Sequence, residues 1–268
     1  MEKMIYYPVI GKQTAAFGRG KRMKDGEKSF SKLFELVELL SNSREGLSGR
    51  EISERSGIPL STTFRMLKFM TDSGYFRSNG GIYFLGVKFI RLGNIACEQN
   101  PLIRIAQPKL ESLAARTLET VHLAERKDRE IQYIGKVEGR RSIRMGSLIG
   151  KRSPIYCTGV GKVILAFMPD SERESLLREL EFRPYTAKTI TSREDLCSEL
   201  LRIRRKGYAV DDCEHEEGVY CLAAPILNGG NRCIAGISIS GAEIYIRKER
   251  EKFAVLLMET AREISRML

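Results

Sequence analysis

Between residues 48 and 73 the chain carries a pattern that leaves few folds open. Ser48-Gly-Arg-Glu51 has the spacing of a capping box, in which a serine hydroxyl and a glutamate carboxylate each satisfy a free backbone N–H at a helix start. Gly57 supplies the left-handed position that ends this short helix, and Pro59 fixes the backbone just ahead of another periodic run, about residues 60–73. Upstream, from Ser29, Phe30, Leu33, Phe34, Val37 and Leu40 follow the i, i+3, i+4, i+7 spacing of a helix with one buried face. Three such helices, the second and third joined by a tight glycine-containing turn, make a helix-turn-helix. Residues 74–77 and 82–85 then read as two strands around Ser78-Asn-Gly-Gly81, a turn rich in residues that tolerate positive φ, so a wing follows the helices. Residues 86–98 are again helical in spacing, and Asn100-Pro101 interrupts them, which predicts the end of the first domain and its connecting helix near residue 100.

Beyond Pro101, helices and strands mix. Residues 102–116, 159–167, 192–206 and 246–268 read as helices, and residues 121–124, 131–137, 208–211, 219–226 and 233–240 read as strands, with Asn228-Gly-Gly-Asn231 as a hairpin turn. Strands joined by hairpins predict an α+β layout, an antiparallel sheet covered by helices rather than a doubly wound parallel one. The expected organisation is a basic flexible arm over 1–28, a winged helix-turn-helix over 29–86, a linker helix over 87–100 and a second domain over 101–268.

Charge and cysteine usage narrow the class. The net charge of +11 raises a polyanionic partner as a hypothesis that charge alone does not prove, and the excess is greater near the N-terminus: residues 1–28 hold seven basic and three acidic side chains with little periodicity, a basic arm or equally a plain solvated tail. The chain lacks an apolar run of membrane-spanning length, and its first residues lack the apolar stretch of a secretory signal, so the expected location is the cytoplasm. The six cysteines form neither a C-x-x-C pair nor a zinc framework and are expected as free thiols, with no metal and no cofactor.

On the third helix, Thr63, Met66, Leu67 and Met70 share one face, which leaves Ser61, Thr62, Phe64, Arg65 and Lys68 to point elsewhere. A recognition helix enters the major groove of double-stranded DNA with its N-terminal turn, where hydroxyls and an arginine reach base edges or phosphates. Phe64 has two open readings, contact with a thymine methyl or packing against the wing. Arg77 and Lys88 flank the wing and are expected on backbone phosphates. In the second domain, Ser238 and Ser240 alternate along one strand face and Thr158-Gly159-Val160 precedes a helix, a combination of hydroxyls and open helix N–H groups that suits a small carboxylate. Strand alternation alone equally allows both serines to face solvent.

The chain resembles the IclR-type bacterial transcription regulators over nearly its whole length from Ser29. The resemblance runs through residues 34–40, LSGREISERSG (47–57), IPLSTTFRML (58–67), Ser73-Gly-Tyr75 and Tyr83-Phe-Leu-Gly86, and then through PIYCTGVGKVILA (154–166), YTAKTITS (185–192), RKGYAVDD (205–212), GVYCLAAP (218–225) and IAGISISG (234–241). It departs at Phe64, where that family often has histidine, and at Val160, where a smaller residue is common. The resemblance implies a GAF-like effector-binding second domain and a pocket for small organic acids. There the backbone at Gly159 and Val160 and the hydroxyls of Ser238 and Ser240 take the carboxylate, Asp211 and Cys221 meet the oxo or hydroxyl end, and Met145 and Val219 form apolar wall. It also implies dimers through the first domain and tetramers through the second. Residues 144–145, 150–152, 154–156, 188–192 and 234–240 look closest to the branch sensing 2-keto-3-deoxygluconate.

The function so implied is a repressor of a sugar-acid or organic-acid catabolic operon, released from its operator by a small 2-oxo acid, with an activator of the same architecture as the alternative. A thiol-dependent enzyme acting on a 2-oxo acid through Cys221 is the competing class; neither histidine carries a motif that would make it the base, and His122 reads as a core residue. Cys213, His215 and the acids at 211, 212, 214, 216 and 217 resemble a metal cluster in composition, but adjacent ligands on one short segment rarely close a tetrahedron.

Overall fold

The computed structural model describes residues 25–141 and 146–268, and the chain divides into two compact units between Ala96 and Cys97. The first unit contains α1 (Asp25–Ser41), β1 (Leu47–Ser48), α2 (Gly49–Ser56), α3 (Leu60–Asp72), β2 (Phe76–Asn79) and β3 (Ile82–Leu85), and α4 (Lys88–Gln99) starts within it. The predicted capping box forms: the Ser48 N–H donates to Glu51 Oε2 at 2.8 Å and the Glu51 N–H to Ser48 Oγ at 3.3 Å. Gly57 takes φ +69°, the left-handed turn that lets α3 fold back across α2. The wing closes through Gly80 and Gly81, both at positive φ, and β1 joins it to give a three-stranded sheet in the order β1-β3-β2.

Two expectations about α1 are corrected. The helix begins at Asp25, so residues 25–28, assigned to the basic arm, are helical; the remainder of that arm, residues 1–24, lies outside the described residues. Its core face is built on Leu36 and Leu40, with Leu33 and Val37 half-buried, whereas Phe30 and Phe34 are 66% and 56% exposed. The helix carries apolar side chains on more than one face, and the unit's own core covers only one.

The second unit opens with α5 (Pro101–Thr117), which Asn100 caps by accepting from the N–H groups of Leu102 and Ile103. A six-stranded antiparallel sheet follows, in the order β6-β5-β4-β9-β8-β7. Its strands are β4 (Thr120–Lys127), β5 (Glu130–Val137), β6 (Arg152–Pro154), β7 (Ala209–Asp212), β8 (Val219–Leu227) and β9 (Cys233–Ala242). Helices α5 and α10 (Arg250–Arg266) cover one face, packing on Val121, Leu123, Leu222, Ile237 and Ile239. Helices α6 (Gly159–Phe167), α7 (Asp170–Glu179) and α8 (Arg193–Lys206) cover the other, over Ala124, Ile131, Ala209 and Ala223. The short α9 (Glu243–Lys248) precedes α10. The antiparallel α+β layout predicted from the hairpins is the observed one.

Candidate functional site

In the first unit, α3 presents the face that the periodicity assigns to it. Thr63, Met66, Leu67 and Met70 are buried, and Ser61, Phe64, Arg65 and Lys68 are exposed, with Thr62 half-buried. The Thr63 hydroxyl donates to the Ile58 carbonyl at 3.2 Å, which ties α3 to the turn. Pro59 occupies the N-cap and has no side chain to offer, so the first-turn N–H groups of α3 stay open beside Ser61 and Thr62. Lys68 pairs with Asp72 at 3.0 Å, whereas Arg65 makes no ion pair among the described residues.

Of the two readings of Phe64, the structure bears only on its packing within the unit. Its ring leans on the first turn of α2, so close to Gly49 that a Cβ there would meet ring atoms at 2.6 and 2.8 Å, and it stays 46% exposed. It therefore does not rest on the wing; the missing side chain at 49 makes a nearer seat. Arg77 stacks over Phe84 across the wing, its guanidinium carbon 4.0 Å from the ring centroid, as expected from their facing positions in β2 and β3. Lys88 departs from its expected phosphate role: its ammonium donates to the Ser73 carbonyl at 2.8 Å and lies over Tyr75, ending the α3 turn from inside.

In the second unit, the register of the sheet brings the separate motifs together. Asp211 faces Cys221 across β7 and β8, Cys221 faces Ser240 across β8 and β9, and Ser238 faces His122 across β9 and β4. All lie on the α6 side of the sheet. Ser238 and Ser240 are 3% and 4% exposed, which closes the solvent-facing alternative. Their hydroxyl oxygens are 3.3 Å apart. Above this row stands the start of α6: a Cβ on Gly159 would lie 3.3 to 3.7 Å from the Cβ atoms of Ala223, Cys221 and Asp211. Thr158 caps α6 by accepting from the Gly161 N–H at 3.3 Å, which leaves the N–H groups of Gly159 and Val160, the first two of the helix, without a partner inside it. Val160 is buried against Gly236, where a Cβ would come within 3.0 Å of its methyl, so its bulk is absorbed by the sheet. Val219 lies on the same strand face as Cys221; Met145 lies outside the described residues.

The electrostatics of this cluster come from burial. Asp211, 3% exposed, has its carboxyl pushed up to about 7, chiefly by desolvation and further by Glu214, with Lys162 opposing. Cys221 is held well above the ordinary thiol range, first by burial and then by Asp211, so its sulfur stays a neutral thiol. His122 is brought down to about 3 by burial, with Lys136 adding to the effect; the neutral ring meets Ser147 Oγ at 2.7 Å and Ser238 Oγ at 3.4 Å. The His122 ring is bonded to two serines and not to Cys221, and its lowered pKa makes it a weak base, so it does not form a base–thiol pair with Cys221.

His122 is the satisfied core histidine that its apolar strand pattern predicts, and its partners tie it to the serine row. Another group here escapes the sequence reading. Lys162 is fully buried and pairs with Glu214, whose N–H in turn donates to Asp211 Oδ1 at 2.8 Å. The signal was present: a single lysine inside the apolar run GVGKVILAF must find an acid or forfeit its charge. Nearby, Asp212, Cys213 and Glu243 come close enough to suggest a metal trio, but Lys188 and Arg247 already pair with both carboxylates.

A winged helix-turn-helix carrying an exposed recognition face, followed by an α+β unit with a buried cluster of hydroxyls under a helix N-terminus, defines a DNA-binding regulator that responds to a small ligand. Residues 29–80 match the IclR helix-turn-helix domain, and residues 95–266 match the family described as bacterial transcriptional regulator IclR C-terminal. The chain is 35% identical over 247 residues to the HTH-type transcriptional regulator KdgR of Escherichia coli, covering 91% of this chain and 94% of that one. It is 31% identical over 242 residues to the transcriptional repressor IclR of the same organism, covering 88% of each. The crystal structure of the Thermotoga maritima IclR superposes with a TM-score of 0.80 at 35% identity, over 89% of this chain and 98% of that one. The chain belongs to the IclR family of transcriptional regulators, a family of DNA-binding proteins and not of enzymes.

Proposed function

We propose that this regulator is a repressor of an organic-acid or sugar-acid catabolic operon, acting in the cytoplasm, and that a small 2-oxo acid or sugar acid releases it from operator DNA. The observation that carries the ligand half is the convergence of Ser238, Ser240, Cys221 and Asp211 beneath the open N–H groups of Gly159 and Val160. The ligand carboxylate takes the two backbone N–H groups and the two hydroxyls. A neutral Asp211 donates to the oxo or hydroxyl end, Cys221 lies beside it, and Val219 and Met145 give apolar wall. The motifs shared with the 2-keto-3-deoxygluconate-sensing branch favour a sugar acid.

On the DNA side, Ser61, Thr62, Phe64 and Arg65 read the major groove, and Lys68 and Arg77 hold phosphates. One winged unit contacts too few base pairs for specific binding, so a homodimer on half-sites about 34–36 Å apart is required, or a homotetramer built from two such dimers. Apolar side chains left exposed on α1 and α4, among them Phe30 and Ile90, fit a dimer contact of the first units. The basic residues over 1–24 add sequence-independent attraction, and residues 87–100 link the DNA-binding and effector-binding domains, which end and begin near residues 86 and 101. Fluorescence anisotropy with the intergenic DNA beside the gene tests this reading. A panel of 2-oxo and sugar acids should contain one that lowers operator affinity, and Ser238→Ala with Ser240→Ala should abolish that response while leaving ligand-free binding intact. An unchanged response in the double variant refutes the pocket.

A further inference from the structure

The second unit holds a groove apart from the buried cluster under α6. It is an open groove of about 580 Å³, a size within the roughly 300–1,000 Å³ of small-molecule sites. It lies where the C-terminal ends of α8 and α10 meet the far end of β8, bordered by Leu227 and Asn228. Leu227 stands six residues along β8 from Cys221, and at about 3.4 Å per residue the two places are about 20 Å apart.

Its floor is apolar and accessible: Phe167, Pro225, Leu227 and Met258 are all only partly buried. Its rim is cationic: Arg205, Lys206, Arg262 and Arg266 line it and are exposed, and among the described residues no aspartate or glutamate lines it. A fifth cation, Arg204, is already committed to the carbonyls of Ala166 and Met168 and to Asp170. The other four make no ion pair or side-chain hydrogen bond among the described residues, and the neighbouring acid Glu263 is taken by Lys109 at 2.6 Å.

Magnitudes separate a site from a pair of well-capped helices. Each helix C-terminus contributes roughly half a negative charge, so two of them offset about one of the four positive charges. An excess of about three remains, held at the mouth of a concave apolar surface. A two-fold contact between copies centred here would set these cations against themselves. A row of DNA phosphates would use the rim and leave the floor empty. The complementary partner is small, carries several negative charges and has a flat apolar body.

We propose that this groove binds a phosphorylated ligand of the nucleoside diphosphate class. The ring lies on Phe167 and Met258, and the phosphates meet the arginine forks of Arg205, Arg262 and Arg266, with Lys206 as a point charge. The Asn228 carbonyl oxygen accepts from the Gly230 and Arg232 N–H groups at 3.1 and 3.0 Å, which leaves its amide N–H groups to donate to a ring acceptor.

The test is calorimetric titration of the full chain with ADP at physiological ionic strength, beside adenosine and inorganic pyrophosphate. ADP should bind at one site per chain, and each half-molecule should bind at least about tenfold more weakly. Arg205→Glu with Arg262→Glu should weaken ADP binding by at least about tenfold, the corresponding double lysine variant should lose less, and all should keep the parent unfolding temperature. Absence of ADP binding, or ADP binding unaffected by the charge reversal, overturns the proposal. So does pyrophosphate binding as tightly as ADP, since the floor then plays no part. If the charge reversal weakens duplex binding and the parent does not take ADP, the patch is a DNA surface and the proposal fails.

Discussion

Replacing Lys162 by methionine isolates the charge buried beneath α6. Lys162 is fully buried, and its partner Glu214 is 6% exposed with one carboxylate oxygen, Oε2, that has no hydrogen-bond partner among the described residues. Methionine keeps most of the lysine stem and removes only the cation, so Glu214 and Asp211 are left facing each other. An uncompensated buried charge costs about 3–5 kcal/mol. For a domain of this size each kcal/mol lowers the unfolding temperature by about 2–4 °C, so the second unit should melt roughly 6–20 °C lower near neutral pH. The penalty has a sign in pH. The Glu214 carboxyl is already raised above the usual range, chiefly by burial and against the pull of Lys162. Without that lysine it rises further, and the folded state binds a proton that the unfolded state has released. Stability of the variant should therefore fall as pH rises from the ordinary glutamate range to the new folded value, and recover in acid. Differential scanning calorimetry across that range measures it, with Lys162→Met/Glu214→Leu as the partner variant. The double variant removes both charges and should regain at least half of the loss. A single variant within about 1 kcal/mol of the parent, or a double variant no better than the single, would refute the account.

Four further outcomes follow from the same geometry. Arg65→Ala should cost about 1–3 kcal/mol of operator binding if the guanidinium reads a base, or lower the salt dependence by about one charge if it holds a phosphate; anisotropy titrations at several salt concentrations separate the two. Effector affinity should be level below pH 7 and fall by up to about tenfold per unit above it, because Asp211, raised to about 7, must carry a proton to donate to the ligand's oxo or hydroxyl end. Asp211→Asn should flatten that titration, and an unaltered slope would remove Asp211 from the pocket. Gly49→Ala should displace the Phe64 ring and weaken operator binding, whereas adding Phe64→Ala should remove the clash and its cost to the unfolding temperature. Ser48→Ala should destabilise the first unit by about 1 kcal/mol through loss of the α2 cap, read from its urea midpoint.

The sequence was most informative where local chemistry decides conformation. The Ser48–Glu51 box, Gly57 and the Gly80-Gly81 turn each admit one backbone geometry, so the helix-turn-helix and wing were legible without tertiary knowledge. Periodicity failed where an element has more than one apolar face: α1 offers both a Phe30/Phe34 stripe and a Leu36/Leu40 stripe, and only packing selects the second. Strand alternation failed for a related reason. In β9 the serines alternate with isoleucines, yet both sets are buried, because helices cover both sides of the sheet. Helix α7 was missed because its sequence DSERESLLRE buries only Leu176 and Leu177, too few to mark a stripe. The Lys162–Glu214 pair joins residues 52 positions apart, and no local pattern connects them.

The open sheet of the second unit ends in its two shortest strands, β6 with three residues and β7 with four. A rim of that length offers an intruding backbone only a few hydrogen bonds before it runs out, and Pro154 withdraws a donor from one of them. Growth of the sheet by backbone pairing is disfavoured at both of these short rims, so a contact between copies made there rests mainly on side chains.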